Sequence, residues 1–129
     1  MILIVGGAWQ GKLEFARELC KDKGIETITV AEGRTDPYSD AAKCVVIHGF
    51  HEYIRRLLRE GRSVEEWLDS LEQDNPDVVI VSNEMGCGIV PVLAEDRQWR
   101  EVTGRSVTKI AKKSREVYRV VCGIADRIK

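Results

Sequence analysis

Apolar residues along the chain form short unbroken runs separated by stretches with helical spacing. Residues 2–5 (Ile2, Leu3, Ile4, Val5), 44–47 and 78–81 are continuous apolar runs of strand length, the pattern of strands buried on both faces of a parallel sheet. Residues 26–30 and 117–122 read as further strands, with 124–128 closing the chain. Between these runs the period shifts toward 3.6. Residues 12–23 place Phe15, Leu19 and Cys20 on one face and end at Gly24; residues 51–59 do the same with Tyr53, Ile54, Leu57 and Leu58 before Gly61. Ser63 followed by Glu66 is a capping box opening another short helix with Trp67, Leu68 and Leu71. A last helix reaches about Ser114. Residues 31–42, with Gly33, Asp36-Pro37 and Ser39-Asp40, predict the longest loop, a mobile one. The alternation predicts an α/β fold, a parallel sheet with helices on both faces.

Length changes this picture little: 129 residues predict a single domain over 1–129, able to bury roughly two-thirds of its unfolded surface. A hydrophobic fraction of 43%, a charged fraction of 32% and three prolines are those of a globular chain. Twenty basic against 21 acidic residues leave a net charge of -1, which gives no reason to expect nucleic acid as a partner. Residues 1–5 lack the length and positive flank of a signal peptide, and no apolar run approaches the roughly 18 residues of a membrane span. The expectation is a cytoplasmic protein without membrane attachment. Cys20, Cys44, Cys87 and Cys122 form no C-x-x-C pair and read as reduced thiols.

The candidate chemistry starts where the first strand ends. Gly6-Gly7-Ala8-Trp9-Gln10-Gly11-Lys12-Leu13 fits seven of the eight positions of the phosphate-binding pattern G-x-x-x-x-G-K-[ST], and it lies between a strand and a helix as that pattern requires. Glycines allow backbone N–H groups to close around phosphate oxygens, the helix N-terminus adds partial positive charge, and Lys12 reaches the outer phosphates. The eighth position normally supplies a hydroxyl to Mg²⁺, and Leu13 cannot. A bound nucleoside triphosphate is expected, with any Mg²⁺ left without its usual hydroxyl ligand from the loop.

In such sheets ligands sit outside the carboxyl ends of the strands. His48 follows the third strand, where a P-loop enzyme usually places an acidic residue beside the magnesium shell. His48 and His51 read as capping and packing groups more readily than as metal ligands, so no metal site is assigned. Glu84 is the carboxylate directly after the strand at 78–81, flanked by Gly86 and Gly88; a structural turn and a place near bound phosphate are equally compatible with it. Arg97, Arg100 and Arg105 face either water or anions.

Four stretches carry a family resemblance: Met1-Ile2-Leu3-Ile4-Val5-Gly6-Gly7-Ala8, Ser82-Asn83-Glu84-Met85-Gly86-Cys87-Gly88-Ile89-Val90-Pro91, Arg100-Glu101-Val102-Thr103-Gly104-Arg105, and Val120-Val121-Cys122-Gly123-Ile124 with Ile128-Lys129. Together they resemble the adenosylcobinamide kinase/adenosylcobinamide-phosphate guanylyltransferase family, P-loop enzymes of cobalamin biosynthesis. The resemblance implies a RecA-like P-loop NTPase fold, ATP or GTP, a corrinoid substrate and a homo-oligomer, a trimer. It also implies a histidine that becomes guanylylated, between the second and third strands. That interval holds no histidine here, so guanylyl transfer is expected to be lost. Two readings follow. One is an NTP-dependent kinase in which Lys12 holds the phosphates and Glu84 positions metal or water; the other is a non-catalytic nucleotide or corrinoid binder with a regulatory or assembly role.

Overall fold

The computed structural model describes residues 1–85 and 92–129. Its elements run β1 (Ile2–Gly6), α1 (Lys12–Asp22), β2 (Val30–Glu32), α2 (Tyr38–Ala41), β3 (Val46–His48), α3 (Phe50–Arg59), α4 (Val64–Asp74), β4 (Val79–Asn83), α5 (Ala94–Lys113), β5 (Glu116–Val121) and β6 (Ile124–Arg127). The strands form one sheet in the order β2-β3-β4-β1-β5-β6. Pairing is parallel from β2 through β5, and β6 runs antiparallel to β5. The parallel sheet expected from the sequence is present, and it carries one antiparallel edge strand. Its cause is the two-residue connection Cys122-Gly123, with φ of 50° and 75°, which can only reverse the chain.

Alternation along β1 divides the core. Leu3 and Val5 face a cluster with Ile47, Phe50, Tyr53, Ile54, Leu57, Leu68, Ile80 and Ile110, supplied largely by α3, α4 and α5. Ile2 and Ile4 face Ala16 and Cys20 of α1, with Val46, Val79, Val81 and Val120. Helices cover both faces, unequally. Because α1 is the helix packed on the second face, Ile25, Ile28 and Val30 are needed there as partly buried cover. Of residues 26–30 only Ile28 and Val30 pack on that cluster, while Glu26, Thr27 and Thr29 are exposed, and the expected strand is displaced toward the carboxyl end, to Val30–Glu32.

The loop expected at 31–42 is also corrected. It contains β2 and the single-turn α2, and Arg56 of α3 binds it by donating from Nη1 to the carbonyls of Gly33 at 2.9 Å and Asp36 at 2.6 Å. Tyr38, Tyr53 and Trp67 pack ring against ring beneath it. The Ser63 cap is present, with Glu66 N–H donating to Oγ at 3.2 Å. No helix among the described residues is long and apolar enough to cross a membrane.

Candidate functional site

β1 is central, and its two neighbours follow from opposite directions of winding: β4 is reached on the β2 side and β5 on the other. Such a switch point leaves a crevice at the carboxyl ends. The loop after β1 opens into it. Gly11 caps α1 in the left-handed region at φ 84°, where a β-carbon would be strained and would meet Gly123 Cα at 3.4 Å. The helix N-terminus that follows presents its free N–H groups toward the loop. Trp9 also has a left-handed backbone, φ 60°, at a cost of about 1–2 kcal/mol for a side-chain-bearing residue. Its ring is fully exposed.

The loop is braced from outside. Gln10 carbonyl accepts from Gly123 N–H at 2.9 Å, and Gln10 Oε1 accepts from Cys122 N–H at 2.5 Å. The β5–β6 turn thus holds the middle of the loop by two hydrogen bonds from backbone donors. A cleft of about 560 Å³ lies alongside, lined by Trp9, Gln10, Gly11, Lys12, Leu13, Glu14, His48, Cys122 and Gly123.

Lys12 is 7% exposed, and its Nζ donates to the Gly7 carbonyl at 2.5 Å. Burial lowers its pKa below the ordinary lysine value, and the nearby charge of Glu84 opposes that shift. No carboxylate pairs with it directly among the described residues. Leu13 is half-buried: it packs against the α1-side cluster and also lines the cleft, where its alkyl side chain offers no ligand atom.

Glu84 lies on the same edge, its N–H donating to Gly6 carbonyl at 2.8 Å as the β1–β4 ladder runs out. Arg119 of β5 grips its carboxylate, Nε to Oε1 at 2.8 Å and Nη2 to Oε2 at 3.2 Å. Gly86 and Gly88, expected to admit a ligand beside Glu84, lie outside the described residues, as does Cys87. Cys20, Cys44 and Cys122 are free thiols.

The two histidines separate. His48 Nδ1 is 2.8 Å and 2.9 Å from the carboxylate oxygens of Glu32. His51 is buried, and its Nδ1 accepts from Asn83 N–H at 3.2 Å. Burial above all, with the charge of Lys12 next, pushes its pKa down to about 4, so the ring is neutral at pH 7. Its Nε2 therefore holds the proton. Trp99 stacks on the ring and donates Nε1–H to the His51 carbonyl at 2.7 Å. Among the described residues no three His, Cys, Asp or Glu side chains converge as metal ligands do.

Of the three arginines, Arg97 donates to Val92 carbonyl at 2.6 Å, Arg105 sits 3.7 Å from Glu101, and Arg100 is half-buried; none lines the cleft. Sequence reasoning missed Glu32, Arg119 and the Gln10 brace. Glu32 was concealed by the misplaced second strand; put at 30–32, its last residue would have stood beside His48.

The family described as cobinamide kinase / cobinamide phosphate guanyltransferase matches residues 31–128, a span that begins after the phosphate-type loop. The bifunctional adenosylcobalamin biosynthesis protein CobU of Escherichia coli (strain K12) is 44% identical over 52 residues, covering 40% of this chain and 29% of that protein. Its counterpart in Salmonella typhimurium (strain LT2) gives the same identity and coverage. The match takes in less than a third of either relative's length. With 98 residues matched from strand β2 to the end of β6, the chain belongs to the cobinamide kinase / cobinamide phosphate guanyltransferase family.

Proposed function

We propose that the chain is a nucleoside-triphosphate-dependent kinase of the cobinamide kinase type, binding ATP or GTP through residues 6–13 and transferring the terminal phosphoryl group to a corrinoid alcohol. The observation that carries this reading is Lys12: an ammonium nearly out of water, held by one carbonyl of its own loop. A desolvated cation at the mouth of a glycine loop and a helix N-terminus is disposed to take a polyanion. On binding, Lys12 exchanges Gly7 carbonyl for phosphate oxygens, while loop N–H groups hold the others. Glu84, fixed by Arg119, keeps a carboxylate behind Lys12 that favours its charged form. Phosphoryl transfer needs mainly such positioning and charge stabilisation.

The residues present do not fit a protein-held Mg²⁺. Leu13 packs an alkyl side chain where a hydroxyl would be needed, and the flanking carboxylates Glu32 and Glu84 are engaged by His48 and Arg119. A magnesium ion would be carried by the nucleotide's own phosphates and by water. The same packing of Leu13 favours a second reading, a nucleotide or corrinoid binder without turnover. In both, guanylyl transfer is lost, because the resemblance places the guanylylated histidine between the second and third strands and none stands between β2 and β3. Labelled GTP should leave the protein unlabelled, and an acid-labile GMP adduct would contradict this. Phosphorylation of cobinamide from ATP or GTP separates kinase from binder: product formed by wild type and lost in Lys12→Ala supports the kinase, and nucleotide binding without product supports the binder.

A further inference from the structure

One pair at the carboxyl edge has no part in the phosphate site described so far. Glu32 and His48 end β2 and β3 as register partners, and the carboxylate lies at 2.8 Å and 2.9 Å from Nδ1. An ionised carboxylate can only accept, so Nδ1 carries a proton, and in the neutral ring Nε2 holds the lone pair. Nε2 has no partner among the described residues, and His48 lines the same cleft as Lys12. The backbone under both residues is fixed. Gly33 N–H donates to the His48 carbonyl at 2.8 Å, Asp36 N–H donates to the Glu32 carbonyl at 2.8 Å, and Glu32 N–H donates to Asp36 Oδ2 at 2.7 Å. An oriented imidazole with one free lone pair, tethered by a carboxylate, is the working part of a general base.

We propose that His48 is the catalytic base that takes the proton from the acceptor hydroxyl, with Glu32 as its positioning residue, an inference that rests on the kinase reading. In the step, the hydroxyl oxygen bonds to the γ-phosphorus while its proton passes to Nε2. The bond from γ-phosphorus to the bridging oxygen breaks, and the nucleoside diphosphate leaves with that electron pair. The proton then passes from Nε2 to solvent, and the Glu32 carboxylate offsets the positive charge while the ring carries it.

The test measures cobinamide phosphorylation by ATP, ATP affinity by calorimetry and thermal melting for wild type, His48→Gln and Glu32→Gln, with His48→Asn as a second variant should His48→Gln fold poorly. The base role predicts a kcat about a hundredfold or more below wild type for the His48 variants, with ATP affinity and melting temperature close to wild type. Glu32→Gln should lose less, again in kcat rather than KM. A pair that only ties β2 to β3 would instead lower the melting temperature and leave kcat alone. Wild type that turns over while His48→Gln does so equally well overturns this proposal and leaves the kinase reading standing. Wild type that binds ATP but makes no product overturns both.

Discussion

At the β1 end of the carboxyl edge the site is made of backbone: a glycine loop, a left-handed helix cap and two brace hydrogen bonds from the Cys122-Gly123 turn. At the β2–β3 end it is made of side chains, Glu32 on His48 and Arg56 on the loop carbonyls. The difference shows which parts of a site are written locally. A loop that works through its backbone needs glycines at fixed spacing, and that spacing is visible in seven consecutive residues. A side-chain pair across parallel strands joins residues 16 apart, and the register that brings them together is set by tertiary packing.

Breaking either end at its tightest backbone approach should have the largest effect. A β-carbon on Gly33 would lie 2.0 Å from the Gly49 carbonyl oxygen, and one on Gly6 would lie 2.4 Å from that of Val120. Both partners are backbone, so neither contact can be relieved by a rotamer. Gly33→Ala and Gly6→Ala should each cost about 3 kcal/mol, measured by urea unfolding. Gly33→Ala should also perturb His48, whose carbonyl its N–H binds, whereas Gly6→Ala should act on the phosphate end.

Acid should separate the ends next. His51 stands between them, with a folded pKa of about 4 against an ordinary 6.5. The unfolded chain takes up its proton first, so this stability is fully present above pH 6.5 and falls as pH drops toward 4. The loss should approach about 3 kcal/mol, and His51→Gln should flatten that part of the stability–pH curve. An unchanged curve in the variant would assign acid sensitivity elsewhere.

The smallest effect belongs to the brace. Gln10→Ala removes the acceptor for Cys122 N–H but keeps the backbone bond to Gly123, so stability should fall by about 1 kcal/mol. Urea unfolding measures the loss, and faster hydrogen exchange at the Cys122 N–H should report the missing acceptor.

Much of the fold was legible. The runs at 2–5, 44–47 and 78–81 lie in or beside β1, β3 and β4, and the Ser63 cap falls where the capping box placed it, because burial on both faces and a local hydrogen bond leave local patterns. The stretch 26–30 misled because Ile28 and Val30 alternate with exposed Thr27 and Thr29 as in a half-buried strand, whereas the ladder with β3 begins only at Val30. In the site, Gly6, Gly11 and Lys12 were readable from spacing. Arg119 on Glu84 was not, since its partner stands 35 residues earlier, just past the end of β4, which β1 separates from β5.

The central claim is that residues 6–13 take a nucleoside triphosphate through Lys12 without a protein ligand for magnesium. Calorimetry with ATP and GTP, with and without Mg²⁺, tests it on wild type, Lys12→Ala and Leu13→Ser. The account predicts binding that changes little with Mg²⁺, a loss of about 1.5–3 kcal/mol in Lys12→Ala, roughly tenfold to a hundredfold in affinity, and stronger Mg²⁺ dependence in Leu13→Ser. Wild-type binding that strictly requires Mg²⁺ and is untouched by Lys12→Ala would contradict it.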